Sequence, residues 1–333
     1  MLPFSPTSDP SAPDVQLATV EIDQQFDAHL LVVEASLQTT KTGSSFLKAR
    51  LRDHSSITLP ATIFDYTDPV PKPGNVVKVR ARIEMYNNAR QIRIVRLREI
   101  GPADANGWAP TVHISVGERA ARLDAMIGAI EDEELGPLVR AVFDRVDIKS
   151  RFLLAPAAKL YHSAKVGGLA LHTFLVHDIA IQLVEIGARV PIDRHLLCAA
   201  AILHDIGKID EFKLSAESGF LPDHAIGHLQ GHIALSLRRV ERVLAEEGIE
   251  STPRIEHLMH MIVSHHGLKE WGSPQAPMTI EAVFLHSADY AASRVESAND
   301  LIEAVSNDSE WTEFSKMIGE KLYLGYKWPE ATE

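Results

Sequence analysis

Apolar residues recur at every second position through residues 15–100 and at helical spacing from residue 113 onward. A chain whose periodicity switches once in this way buries its apolar faces in two separate layer architectures, an all-β unit and then an all-α unit. Its 333 residues are enough for both. In the β half, L-A-T-V-E-I, H-L-L-V-V-E-A-S-L, F-L-K-A-R-L-R-D, I-T-L-P-A-T-I-F, V-V-K-V-R-A-R-I-E-M-Y and R-Q-I-R-I-V-R-L-R-E-I alternate or are rich in β-branched residues. Between them stand K-T-G-S-S, R-D-H-S-S, P-K-P-G-N and Y-N-N-A-R, which carry turn chemistry.

Five or six short strands between residues 15 and 100 predict a small β-barrel of OB-fold type. Residues 1–14, rich in Pro and Ser, read as a disordered tail, and residues 101–112 as a linker. Residues 113–325 read as an all-α helical bundle. E-R-A-A-R-L-D-A-M-I-G-A-I and L-G-P-L-V-R-A-V-F-D-R-V predict two amphipathic helices. Further helices are expected near 169–187, 193–206, 226–247, 253–265 and 279–305, with a helical start to the segment from Trp311.

The formal charge of −12 argues against a generic nucleic-acid coat. It is unevenly spread: residues 15–100 carry 12 Lys or Arg against 9 Asp or Glu. In the last two strands Lys and Arg alternate with Val and Ile, which puts an apolar face inside and a basic stripe outside. The plain reading is a solvated face. The sharper reading is a groove that tracks a phosphate backbone, with aromatic platforms for bases. Phe46 and Tyr86 with Arg93 and Arg96 are the candidate contacts; Phe64 and Tyr66 are further aromatic candidates, and Phe46 and Phe64 fit the core equally well.

Cys198 is the single cysteine, so no internal disulfide forms, which fits a reducing cytosol. It sits in an apolar run and reads as a core residue. No uninterrupted apolar stretch reaches membrane-spanning length, and the first residues lack the basic and apolar regions of a signal peptide. A cytoplasmic protein without membrane contact is expected.

The chemistry concentrates in Ala199–Glu211, A-A-A-I-L-H-D-I-G-K-I-D-E. An apolar helix delivers His204 and Asp205 together, one imidazole and one carboxylate, a mixed donor set for a divalent metal. Gly207 reads as the helix stop. More than half of the chain's 16 histidines lie between His204 and His286. His172, upstream in G-G-L-A-L-H-T, is 32 residues from His204, enough for a helix, a loop and a return helix. His228 and His232 follow in G-H-L-Q-G-H-I, then His260, His265 and His266 in H-M-I-V-S-H-H-G, then His286 and Asp289 in F-L-H-S-A-D-Y. Ligands at the ends of successive helices converge in a bundle. Six donors, His172, His204, Asp205, His232, His265 and Asp289, exceed one structural zinc and suit two metals with Asp205 bridging. His195 and His257 read as hydrogen-bonded core histidines. His177 and Asp178 repeat the pair, but His177 lies five residues from His172 and turns off its helix face, so this pair reads as peripheral.

The series H-T, H-D-I-G-K, G-H-I, H-M-I-V-S-H-H-G, E-W-G-S-P and E-A-V-F-L-H-S-A-D resembles the HD-domain metallophosphohydrolases. With an OB-like domain ahead of it, the chain resembles the YhaM-type 3′→5′ exoribonucleases over roughly residues 15–325. The resemblance implies that His172, His204, Asp205 and Asp289 are core metal ligands. It implies that His232 and His265, with His266, complete a second metal site. Asp205, Lys208 and His162 are then the catalytic candidates, His162 lying near the substrate phosphate. Two divalent metals are expected, Mn²⁺ first, with Mg²⁺ or Fe²⁺ compatible. Single-stranded RNA is the expected partner, with single-stranded DNA and homo-oligomers as further options. Three positions depart from the family pattern: Ser163 and Ala292 replace a His and an Asp, and Lys165 an aromatic. A nucleotide or cyclic-dinucleotide phosphohydrolase with a regulatory barrel is one alternative, although the G-Y-P motif of the cyclic-dinucleotide enzymes is absent. A non-catalytic nucleic-acid-binding module is the other. Lys208 is expected either to add charge beside a phosphate or to cap the preceding helix.

Overall fold

A computed structural model describes residues 15–40, 43–54, 57–86, 89–102, 112, 114–158, 165–187, 189, 191–212, 225–303, 305 and 309–325. The expected tail, most of the linker and His162 lie outside these. The chain divides into two units near residue 110.

The first unit is a barrel of β1 (Gln25–Thr39), β2 (Ser45–Arg52), β3 (Thr58–Phe64), β4 (Asn75–Tyr86) and β5 (Ala89–Pro102). It closes in the order β1-β2-β3-β5-β4, with β4 returning to β1. All pairings are antiparallel except β3 with β5. This is the barrel that the alternation predicts. Leu30, Val32, Leu51, Val77, Val79, Ile83, Ile92 and Ile94 point inward and are buried. Register shifts in β1 beside Val33 and between β4 and β5 beside Val95 add the bends that closure needs.

The first expected strand, residues 17–22, is instead a turn with one bridge between Ile22 and Ile83. Side chains hold it in place of a ladder. Buried Asp53 accepts the Leu17 N–H at 2.6 Å, and the Arg90 guanidinium donates to the carbonyls of Leu17, Ala18 and Val20. Arg90 is thus a staple, not part of the outward stripe.

The second unit holds α1 (Val116–Gly128), α2 (Leu135–Phe143), α3 (Val146–Leu154), α4 (Gly168–Gly187), α5 (Arg194–Leu203), α6 (Lys208–Glu211), α7 (Ala225–Glu247), α8 (Pro253–Ser264) and α9 (Ile280–Glu303). Local signals set their starts. Ser115 and Glu118 form a capping box on α1, Asp193 accepts the Leu196 N–H at α5, and Thr252 with Pro253 opens α8. Helix α3 lies in D-R-V-D-I-K-S-R-F-L-L, beyond the two amphipathic helices read from the sequence. It buries Ile148, Phe152 and Leu153, and Phe152 meets Phe143 edge-on at 5.2 Å. The segment from Trp311 to Gly325 is not helical; a bridge pairs Trp311 with Tyr323.

Helices α4 and α5 form the centre of this unit, with α9 packed on α4. Residues 168–186 of α4 are long and apolar enough by composition to cross a membrane, beyond what the sequence reading expected. In this fold the helix packs within the bundle and carries His172. The run Ala199–Leu203 of α5 is fully buried, its alanines admitting close neighbours. Cys198 packs partly buried against the same core. Ala292, where the resemblance implies an Asp, is buried in the core of the helical unit.

Candidate metal centre

Helix α5 ends at Leu203, and residues 204–207 form a turn before α6. Gly207 is not the left-handed stop expected of it, since its φ is −66°. Its need for glycine is spatial: a Cβ there would stand 2.2 Å from the His232 carbonyl oxygen and 2.5 Å from the Ser236 nitrogen. The turn therefore lies directly on α7. Buried Ser236 fastens it, accepting the Gly207 N–H at 2.8 Å and donating to the His204 carbonyl at 3.0 Å.

Gly231 supplies the second special backbone position. Its φ of 71° and ψ of 156° break α7 one residue before His232. Such a conformation is essentially restricted to glycine. The break lets His232 turn in toward Asp205.

Asp205 stands between two groups of donors. Its Oδ2 lies 3.5 Å from His172 Nε2 and 3.3 Å from His204 Nε2. Its Oδ1 lies 3.4 Å from His232 Nε2 and 3.6 Å from His265 Nε2. His172, His204 and Asp289 form one cluster of ligand atoms mutually within 4.8 Å, and His232, His265 and His266 form another. Asp289 Oδ1 approaches His172 Nε2 to 3.1 Å, and the Nε2 atoms of His232 and His266 are 3.2 Å apart.

The five histidines share an orientation. Nδ1 of His204, His265 and His266 donates to the carbonyls of Ala201, Ile262 and Trp271 at 2.8, 2.7 and 2.9 Å. Nδ1 of His172 meets Glu296 at 3.0 Å. Nδ1 of His232 lies 3.0 Å from Glu211, off the line of a hydrogen bond. Every Nε2 thus faces inward, the arrangement of metal-bound imidazoles with outer partners.

Polar atoms inside the cage lack partners. His204 Nε2, His265 Nε2 and Asp205 Oδ1 are buried with no hydrogen bond. Each such atom costs about 1–3 kcal/mol. A divalent cation in each cluster would satisfy all three, so these residues fit the group.

Burial would raise the carboxyls of Asp205 and Asp289, but their neighbours overrule it. Lys208 and His204 hold Asp205 well below the carboxylate range, and His172 does the same for Asp289. Burial, then His266 and His204, pushes His265 far down and keeps it neutral. Burial also opposes charge on His172, yet Glu296 and Asp289 outweigh it and push it up to about 10. A bound cation reverses that last balance and favours the neutral ring.

Lys208 opens α6 and does not cap α5. It is 8% exposed, and its Nζ sits 2.6 Å from Asp205 Oδ2. It also lines a cavity of about 550 Å³ shared with His172, His232, His266, Asp289 and the aromatic pair Trp271 and Tyr290. Glu296, Glu211 and Ser236 escaped the sequence reading. Only Glu296's spacing, seven residues after Asp289 on one helix face, pointed to it.

Among the described residues, His177, His257 and His260 stand apart from the cage. His177 and Asp178 are 3.3 Å from each other, and Asp178 pairs with Arg122. His257 bonds Thr279, and the Nε2 of His260 accepts the Met278 N–H. His286 donates its Nδ1–H to the His265 carbonyl at 2.8 Å, bracing the backbone of a candidate ligand.

On the barrel, rows of outward residues cross the strands: Gln25, Arg82 and Arg93; Asp27, Arg80 and Arg96; His29, Lys78 and Arg98. Arg93 is not the exposed cation expected of it. It donates to Glu84 at 2.6 Å, lies 4.5 Å over the Phe64 ring and is three-quarters buried. Arg96 is half-buried and pairs in register with Arg80. Phe46 packs on Phe64 at 5.6 Å, while Tyr86 is 61% exposed at the end of β4. Tyr66 is buried and bonds the Pro69 carbonyl.

The HD domain family matches residues 169–294, which hold every residue of both clusters. The 3′-5′ exoribonuclease YhaM of Oceanobacillus iheyensis is 30% identical over 88% of this chain and 91% of its own length. Those of Geobacillus sp. (strain WCH70) and Bacillus subtilis are 28% and 27% identical over 88% of this chain and 89% and 92% of their own. An HD domain with these clusters is a divalent-metal site, and the chain, an OB-like barrel followed by that domain, belongs to the YhaM family.

Proposed function

We propose that the protein is a metal-dependent 3′→5′ exoribonuclease that hydrolyses single-stranded RNA. One observation carries the reading: two histidine clusters face each other across a single buried carboxylate, Asp205, at the wall of an open cavity. The relatives are 3′-5′ exoribonucleases, which supports the substrate class.

The site accommodates two divalent cations, one held by His172, His204 and Asp289 and one by His232, His265 and His266, with Asp205 reaching toward both. When bound, such ions offer Lewis-acid charge to a phosphodiester and acidify a coordinated water. Mn²⁺ is the ion that the family resemblance implies, and carboxylate and imidazole donors leave Mg²⁺ and Fe²⁺ as competitors. Within the chain, the carbonyls of Ala201, Ile262 and Trp271 fix three rings with Nε2 inward. Glu296 does the same for His172, and the Glu211 carboxylate lies 3.0 Å from Nδ1 of His232. Lys208 neutralises Asp205 and puts a cation on the cavity wall, where a substrate phosphate lies. Its pKa is raised, burial being outweighed by Asp205, so it stays charged near neutral pH.

The barrel supplies a net-positive outward face, with six Lys or Arg on β4 and β5 in register. Asp27 and Glu84 neutralise only part of it. We assign it to holding the strand whose end is being degraded, a use that fits the barrel class.

The test is a 5′-labelled single-stranded RNA incubated with the full chain and Mn²⁺. A ladder shortening from the 3′ end, suppressed by chelation, is expected. Internal cuts, or no cleavage with Mn²⁺, Mg²⁺ or Fe²⁺, would overturn the reading. A DNA strand of the same sequence measures the sugar preference.

A further inference from the structure

The cavity beside the metal ligands has a second wall that the hydrolytic chemistry leaves unused. Trp271 and Tyr290 stack there, centroids 5.3 Å apart and planes 9° from parallel. The Arg294 guanidinium lies 4.5 Å from the Tyr290 centroid. It is held by the Ile318 carbonyl at 3.3 Å. Trp271 is anchored to the metal centre through its own backbone, since its carbonyl accepts the Nδ1–H of His266. Its ring is not buried by these contacts: the residue remains 46% exposed and lines the cavity. A large aromatic pair left half open beside a catalytic centre loses the burial that would otherwise stabilise it. Lys316, also on the cavity wall, has no acidic partner among the described residues.

An exonuclease that removes any of four nucleotides needs a contact present on all of them. Every base has a π face, and aromatic stacking is the sequence-tolerant way to hold it. Arg294 and Lys316 add positive charge on the same wall for the backbone. Resting on the exoribonuclease reading, we propose that the Trp271–Tyr290 pair is the platform on which the 3′-terminal base stacks while its phosphate lies at the metals. Trp271 is then a substrate-binding residue that sets affinity for the nucleotide about to be released.

The test compares two 5′-labelled RNAs, identical except that one ends in an abasic 3′ residue. That residue keeps the sugar and the scissile phosphate and removes only the π face. Wild-type protein should cleave the first bond of the intact RNA with a KM about tenfold below that of the abasic one, the size of one stacked base. Trp271→Ala should abolish that difference by raising the KM of the intact RNA alone. Trp271→Phe, which keeps a ring, should restore most of it. All three forms retain the backbone carbonyl that orients His266. If Trp271→Ala slows both RNAs equally, or leaves the base preference intact, the platform is overturned while the exoribonuclease reading stands. If wild-type protein cleaves neither RNA, the exoribonuclease reading fails, and this inference fails with it.

Discussion

The two units handle charge in opposite ways. The barrel keeps most of its cations on the outward face and matches part of them locally, as Arg80 with Asp27 at 2.8 Å, although Arg52 is buried and Arg93 is held part-buried by Glu84. The helical unit buries His172, His204, Asp205, Lys208, His265 and Asp289 together and leaves three of their polar atoms unbonded. Exposed pairs are worth about 0–1 kcal/mol and tolerate exchange. Buried, unbonded groups oppose folding and persist only where a ligand compensates. The difference separates a surface tuned by total charge from a cage fixed atom by atom. Changes in the cage should therefore have the larger effects.

The largest effect is expected at Asp205, whose carboxylate reaches toward both clusters. Asp205→Asn should bring RNA turnover below detection and lower bound metal in elemental analysis. It also leaves Lys208 buried beside a neutral amide, which destabilises the fold by about 3–5 kcal/mol. Adding Lys208→Met should recover much of that stability in chemical denaturation without restoring turnover. A double variant that regains activity would show that the cage does not depend on Asp205.

Next in size are the residues that orient the rings. Glu296→Gln keeps the shape but weakens the hold on His172, and Glu211→Gln removes the charge beside Nδ1 of His232. Each should cost about 10–100-fold in metal affinity or activity. Excess Mn²⁺ should rescue them in part, as it cannot rescue Asp205→Asn.

Gly207→Ala probes the packing beneath the cage. The new methyl would meet the backbone of α7, which cannot rotate away as a side chain can. Overpacking of this kind costs about 1–3 kcal/mol. A lowered denaturation midpoint is expected, with turnover falling because Asp205 and His232 shift relative to each other. An unchanged midpoint would mean that the turn and α7 separate easily.

How much of this was legible in the sequence follows the same division. The candidate ligands stand out because His and Asp are rare in apolar helices, so one chain suffices to pick out His172, His204, Asp205, His232, His265 and Asp289, while His266 enters only through the family resemblance. Their partners did not, because Glu296, Glu211 and Ser236 look like ordinary helix residues until the helices pack. Gly207 was misread since a glycine after a helix has two explanations, conformational and steric, and only the position of α7 decides between them. The barrel followed from alternation, yet alternation reports which face a residue takes and not what it meets there. Thus Arg93 looked free, while Glu84 and Phe64 hold it, and Arg90 looked like part of a stripe, while three carbonyls hold it. The turn at residues 17–22 reads as a strand because Leu17 and Val20 pack into the barrel core like strand residues, with only the Ile22–Ile83 bridge as pairing.

The smallest effects are expected on the barrel's outward face, and they sharpen the comparison most directly. Removing residues 1–105 should weaken binding of long RNA and flatten its salt dependence, yet largely spare a dinucleotide, which needs only the metal centre. Single changes should then split by environment. Arg82 and Arg98 are exposed, and their loss removes one phosphate contact each. Arg82→Ala and Arg98→Ala should each lower the slope of log affinity against log salt by about one. Neither should move the denaturation midpoint beyond about 0.5 kcal/mol. Arg93→Ala should do the reverse, since its guanidinium is committed to Glu84 and stacked over Phe64. Its loss leaves Glu84 without that partner in a part-buried setting and should lower barrel stability with little change in salt slope. If Arg93→Ala instead lowers the slope as much as Arg82→Ala, Arg93 releases Glu84 to reach the phosphates. If none of the three changes the slope, the barrel's charge does not contact the strand, and the face serves another purpose.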